Sequence, residues 1–182
     1  GEIREKYKIR DNFVLLGVAN VWDQRKGLDD FIRLSKLLKD NEVIILVGVK
    51  EKTIKALPQN IIGIKRTEDI TELAELYSLA DVFINPTWED NFPTTNLEAL
   101  ASGTPIVTYR SGGSAEAVTT ETGFVVEQGD LAGIRTAIDT VKSKGKSFYS
   151  EACRERAVKM FNNNDRYAEY IQLYEQMLEK KE

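Results

Sequence analysis

Histidine is absent from the 182 residues, and cysteine occurs once, at Cys153. Those gaps exclude a Ser-His-Asp relay, a Cys-His nucleophile pair and a zinc site built from imidazole or thiolate, so no bound metal or cofactor is expected. A lone thiol cannot form an intramolecular disulfide, which fits a reducing compartment. No apolar run approaches the roughly 18 residues of a membrane span, so the chain is expected to be cytoplasmic and not transmembrane. Dense basic blocks are also missing and the net charge is -4, which argues against a nucleic-acid partner. Prolines number four, hydrophobic residues make up 42% and charged residues 30%, the composition of an ordinary globular domain. The start, Gly1-Glu2, lacks a methionine and has no signal or transit character, and it reads as the beginning of an excised piece.

What is present is an alternation of short apolar runs with amphipathic stretches, the pattern of a parallel sheet covered by helices on both faces. Phe13 to Val18, Val43 to Val47, Ile61 to Ile64, Val82 to Asn85, Pro105 to Tyr109 and Gly123 to Val126 are predicted strands, short and rich in β-branched residues. Leu28, Phe31, Ile32, Leu34, Leu37 and Leu38 recur at helical spacing, as do Ile70, Leu73, Leu76, Tyr77 and Ala80. Asn96 to Ser102 is a further helix stopped by Gly103 and Pro105, and Leu131 to Ser143 follows an Asp130 N-cap. Past Gly145 the alternation ends, and two helices are predicted, Phe148 to Phe161 and Arg166 to about Lys180. The fold class is therefore α/β: a Rossmann-like, doubly wound parallel sheet of six strands plus two C-terminal helices. It reads as one domain over residues 1–182, with an α/β core at 1–145 and helices at 146–182.

In such sheets ligands sit outside the carboxyl ends of the strands, so the loops after each strand hold the candidate site residues. The densest is the run from Asn85 to Ala99, a strand end, a polar loop and a helix start. Unpaired backbone N–H groups at Thr94, Thr95 and Asn96 form a seat for a phosphate, or else the threonines merely cap the helix. Asp90 and Glu98 flank that seat, and two carboxylates suit it only if they face hydroxyl groups of the same ligand. A sugar joined to a nucleoside diphosphate carries both kinds of group. Arg25-Lys26-Gly27 lies across the crevice, with Lys26 either reaching those phosphates or solvated. Gly112-Gly113-Ser114-Ala115-Glu116 is a backbone-rich turn entering a helix, and either a plain turn or a place of close ligand approach.

The order of these segments resembles the nucleotide-binding C-terminal half of retaining glycosyltransferases with the GT-B fold. The resemblance spans roughly Val14 to Asp130 and rests on Lys26-Gly27, on Glu98-Ala99-Leu100-Ala101-Ser102-Gly103-Thr104-Pro105-Ile106-Val107, on Gly112-Gly113-Ser114-Ala115-Glu116 and on Gly123 to Gly129-Asp130. It implies that Lys26 neutralises the diphosphate of a nucleotide-sugar donor, that Glu98 accepts hydrogen bonds from the ribose, and that an acidic residue holds donor-sugar hydroxyls. At the family's Glu-x7-Glu spacing that acidic residue is Asp90, with Glu89 displaced by one, and the contact belongs to either. Pro93 stands where the family has a glycine, leaving the phosphate seat to Thr94 and Thr95. Asn20 stands at the place of the usual phosphate-binding arginine, with Arg25 as the candidate substitute. Gly27, Asn91 and Phe92 complete the donor loops, and base contacts are expected around Lys65 and Arg66.

The resemblance further implies sugar transfer in surface or capsular polysaccharide synthesis, at the inner face of the membrane through peripheral association. The acceptor would be held mainly by an N-terminal half that this chain does not contain, and the fragment alone would be inactive. The stripe Tyr167, Tyr170, Ile171, Tyr174, Met177 and Leu178 would face that half. No Asp-x-Asp occurs in the chain, in keeping with metal-independent neutralisation of the leaving diphosphate. The alternatives are a non-catalytic flavodoxin-like nucleotide-binding domain, or an interaction module built on the tyrosine-rich last helix.

Overall fold

Six apolar segments form the strands β1 (Phe13–Val18), β2 (Glu42–Val47), β3 (Ile61–Ile64), β4 (Val82–Asn85), β5 (Ile106–Tyr109) and β6 (Gly123–Val126). The computed structural model describes residues 1–91 and 93–162, with 172, 175 and 176. All strand pairs are parallel, in the order β3-β2-β1-β4-β5-β6. Every residue of β2 and β4 is buried, as helices on both faces require. The sequence runs outward from β1 through β2 to β3, returns, and runs the other way from β4 to β6. Leu15 therefore pairs with Val82 and Leu16 with Phe83. At this reversal the flanking connections leave to opposite faces, and a crevice opens beyond the carboxyl ends of β1 and β4.

The helices are α1 (Glu2–Lys6), α2 (Leu28–Ser35), α3 (Glu51–Ile54), α4 (Ile70–Leu79), α5 (Thr94–Ala101), α6 (Gly112–Glu116), α7 (Leu131–Lys144) and α8 (Ser147–Asn162). On one face α2 meets α7, which also covers β5 and β6; on the other α5 packs against α4 and α8, and α1 against α4. α8 backs α5 closely: Ser150 Oγ donates to the Gly103 carbonyl at 2.8 Å, and Gly103 takes the left-handed φ of 71° expected of a helix stop. Asp130 caps α7 by accepting the Gly133 N–H at 2.9 Å, as the sequence predicts.

Several boundaries differ from expectation for local reasons. α2 ends at Ser35 because the next N–H groups, of Lys36 and Leu37, fold back to the Arg33 and Leu34 carbonyls, a tighter turn that leaves Leu37 exposed. β5 starts at Ile106, since Pro105 has no N–H for the ladder, although its carbonyl accepts from Phe83. α5 starts two residues before Asn96, and Gly112 to Glu116 is itself the short helix α6. The four-residue α3 carries no periodicity that a sequence reading could find. The predicted helix from Arg166 and its tyrosine stripe lie outside the described residues.

At the end of the sheet remote from the crevice, the Glu42 side chain is fully buried at the start of β2. It accepts from both Arg135 terminal nitrogens at 2.6 and 2.7 Å, from Lys142 at 3.0 Å and from the Lys39 N–H at 2.9 Å. Burial alone would raise this carboxyl; those donors outweigh it and hold the pKa at about 2. The cluster fastens α7 to β2 and so sets the face against which α2 packs.

Candidate functional site

The crevice beyond β1 and β4 is a cleft of about 580 Å³. Its walls are the loop after β1, from Val18 to Trp22 with Arg25 and Lys26, and the segment after β4, with Asn85, Asp90, Pro93, Thr94, Thr95 and Glu98; Leu73 of α4 closes one side.

The first wall is held against the second by backbone. The Lys26 N–H donates to Asp23 Oδ1 at 2.9 Å, closing a local turn. Gly27 follows at φ 86°, and a Cβ there would stand 2.3 Å from the Pro86 carbonyl oxygen, so only glycine lets the two loops touch. The Arg25 carbonyl accepts the Trp88 N–H at 2.7 Å. These contacts aim Lys26 across the cleft, where its Nζ sits 2.8 Å from Asp90 Oδ2 with side-chain exposures of 29% and 13%. Lys26 is thus ion-paired rather than simply solvated.

Asp90 is braced from behind. Its carbonyl accepts the Gly113 N–H at 3.0 Å, and a Cβ on Gly112 would approach that carbonyl oxygen to 2.4 Å. The Gly-Gly turn thus supports the Asp90 loop. Below it, Asn85 donates to Asn96 Oδ1 at 2.9 Å, Asn96 donates to Ser114, and the Ser114 hydroxyl meets Thr108 at 2.6 Å, a buried network joining β4, α5, β5 and α6.

Pro93 is the N-cap of α5 and supplies no side-chain bond to the helix start. The first N–H groups of an α-helix have no acceptor within the helix, so Thr94 and Thr95, which line the cleft, bring the partial positive charge of the helix start to it. One turn on, Glu98 Oε2 accepts from Tyr77 Oη at 2.7 Å. Burial raises the Glu98 carboxyl above its ordinary pKa, and the Tyr77 hydroxyl opposes that shift without cancelling it. Tyr77 is the only hydrogen-bond partner of this carboxylate among the described residues, which leaves the rest of its accepting capacity for a ligand.

The cleft therefore gathers Lys26, Asp90, Thr94, Thr95, Glu98, Arg25 and Asn20 on one lining, with Gly27 as the hinge of its wall. Glu89 points elsewhere and lines a neighbouring groove that Arg25 shares. Asn91 is exposed and off the lining; Lys65 and Arg66 follow the edge strand β3, exposed and also off it. Phe92 lies outside the described residues. Tyr77 and Asn85 were not singled out by the sequence. Tyr77 falls within an apolar helical stripe and Asn85 at the end of a strand, so each reads as core. Burial pushes the thiol of Cys153, on the buried face of α8, up to about 12, and it is not part of the cleft lining. Among the described residues no helix is long and apolar enough to cross a membrane.

The chain is similar to known proteins in sequence and in fold. The family model described as glycosyl transferases group 1 matches residues 12–143. The capsular polysaccharide biosynthesis glycosyltransferase CapM of Staphylococcus aureus is 29% identical over 153 residues, which cover 76% of this chain and 39% of that protein. The alpha-galactosylglucosyldiacylglycerol synthase of Streptococcus pneumoniae is 36% identical over 119 residues, covering 58% of this chain and 31% of that protein. Among solved structures, Anabaena HepE in complex with UDP-glucose has the same fold, with a TM-score of 0.75 at 18% identity over 98% of this chain and 51% of that one. The chain thus spans less than half the length of these two curated relatives.

Proposed function

The chain belongs to the glycosyl transferases group 1 family, and from that membership we propose that its cleft holds the nucleoside-diphosphate sugar from which a sugar is transferred. The observation that carries this reading is the convergence, in one cleft, of a lysine, a helix start and two carboxylates, with Lys26 paired to Asp90 and Glu98 oriented by Tyr77. Lys26 and the N–H groups of Thr94 and Thr95 receive the diphosphate, with Arg25 beside them. Fixed positive charge of this kind stabilises the diphosphate most as it departs and its charge grows. Glu98, oriented by Tyr77, accepts the ribose hydroxyls. Asp90 turns from Lys26 to the donor-sugar hydroxyls when phosphate takes the lysine.

Retention of configuration, a hexose as the transferred sugar and an acceptor-holding half elsewhere in the whole protein belong to the same proposal. So do inactivity of these 182 residues alone and work on surface polysaccharide in the cytoplasm at the inner face of the membrane. The short coverage of the relatives supports the acceptor-holding half, and the polysaccharide role in the printed name of CapM supports the work on surface polysaccharide. A flavodoxin-like reading would need an acidic cluster after β1, where the chain has Ala19-Asn20-Val21.

Calorimetric titration with a nucleoside diphosphate and its 2′,3′-dideoxy form tests the ribose assignment. Wild type should prefer the parent by about tenfold, the scale of one charge-assisted hydrogen bond, and Glu98→Gln should lose most of that preference. An unchanged ratio in Glu98→Gln would remove Glu98 from the ribose.

A further inference from the structure

Beside the donor cleft, and separated from it by Arg25, a groove of about 400 Å³ runs between the start of α2 and the loop after β4. Gln24, Arg25, Asp29 and Arg33 form one wall, Trp88 and Glu89 the other, and Asp30 the floor. Of these residues the donor cleft shares only Arg25, and Glu89, which the sequence offered beside Asp90 for the donor sugar, lines this groove instead.

Trp88 is held unusually firmly for a side chain that remains 38% exposed. Its indole N–H donates to Asp30 Oδ2 at 2.9 Å, and Tyr109 donates to Asp30 Oδ1 at 2.9 Å. The Trp88 and Tyr109 rings meet edge to face with centroids 5.6 Å apart. Main-chain bonds fix the same residue twice more, from its N–H to the Arg25 carbonyl and from Gln128 Nε2 to its own carbonyl at 2.8 Å. Asp30 is 4% exposed and engages only neutral donors, so its charge is committed to placing the two rings. A rigid aromatic face loses little freedom when a ligand stacks on it.

The charged side chains around that face behave differently. Arg25, Asp29, Arg33 and Glu89 make no ion pair or side-chain hydrogen bond among the described residues, although Asp29 and Arg33 stand at the i, i+4 spacing that favours pairing. The groove therefore offers free donors and free acceptors together. A simple anion would meet Asp29, Glu89 and the buried Asp30, and a simple cation would meet two guanidinium groups. A neutral polyol meets neither penalty, because each hydroxyl both donates and accepts, and the C–H face of a pyranose ring stacks on an indole.

We propose that this groove is a saccharide subsite that seats a neutral pyranose unit on Trp88, with hydroxyls donating to Asp29 and Glu89 and accepting from Arg33 and Arg25. Since Arg25 is also a wall of the donor cleft, the seated unit is assigned to a part of the acceptor that reaches past the half holding most of it. That last assignment rests on the donor reading, whereas saccharide binding itself does not.

The chain has two tryptophans, so a nitrogen-15 spectrum carries two indole N–H signals, assigned by Trp88→Phe. The probes are methyl glycosides of glucose, galactose and N-acetylglucosamine, with maltose, lactose and cellobiose. The expected result is a saturable shift of the Trp88 signal at millimolar concentration with at least one probe, and none at Trp22. Arg33→Gln and Asp29→Asn lie on the surface of α2 and should each weaken that binding about fivefold or more, with the amide spectrum otherwise unchanged as proof of folding. No saturable shift with any probe up to about 100 mM, an equal shift at Trp22, or full affinity in both α2 variants would overturn the subsite. Saccharide binding in a chain that binds no nucleoside diphosphate would uphold the subsite and remove the donor reading. Nucleotide binding without saccharide binding would do the reverse.

Discussion

Lys26 and Asp90 neutralise each other across the cleft, so a diphosphate binding to Lys26 must compete with the Asp90 carboxylate. Asp90→Asn removes that competitor while leaving the braced loop intact. Partly screened pairs of this kind contribute up to about 1 kcal/mol, so a plain nucleoside diphosphate should bind Asp90→Asn up to about fivefold more tightly. The same variant should lose preference for the sugar-bearing form, and titration with both ligands reads the two effects. Equal weakening of both would make Asp90 a structural residue. Glu98 shows the opposite cost. A buried carboxyl whose folded pKa is raised binds its proton more tightly in the native state, so native stability falls as pH rises from the unfolded carboxyl value through the folded one. Glu98→Gln should therefore stabilise the empty domain at pH 7 relative to wild type, with the gain shrinking toward pH 4, even as it weakens nucleotide binding. Denaturant midpoints at the two pH values measure this, and a gain that is absent at pH 7 or grows in acid would contradict it.

Among the elements, the sign reverses at Glu42. Its pKa falls from 4.5 to about 2, so the stability it supplies is complete above the unfolded value and is lost as pH drops toward 2. Glu42→Ala leaves Arg135 and Lys142 facing a void, and should cost about 3 to 5 kcal/mol at pH 7 and much less near pH 2. Urea titrations of the two proteins at both pH values check it. The strands were legible in the sequence because strands covered on both faces are continuous apolar runs with sharp polar borders. β1, β3, β4 and β6 have their predicted limits. The short α3 was not, since four residues show no period, and at α6 the turn entering a helix was legible but not that the Gly-Gly turn itself is helical. Much the same division runs through the site. Lys26, Asp90 and Glu98 stand out locally as polar residues after strands. The Lys26–Asp90 pair and the Tyr77 prop under Glu98 join positions 64 and 21 residues apart, and only the folded sheet brings those together.

For the whole molecule, the reversal of strand order between β1 and β4 puts one cleft at the meeting of both halves of the sheet, and a ligand there ties those halves together. Binding to the native state alone raises stability by roughly 2.7 kcal/mol at about 100 times the dissociation constant. For a chain of this size each kcal/mol moves the thermal midpoint by about 2 to 4 °C. The decisive measurement is the melting temperature of the chain with UDP, GDP, ADP, CDP and dTDP at millimolar concentration, alongside Lys26→Ala. A rise of several degrees with at least one of them, largely abolished in Lys26→Ala, is the predicted result. A midpoint unmoved by all five, or moved equally in Lys26→Ala, would contradict the assignment of this cleft to a nucleoside-diphosphate donor.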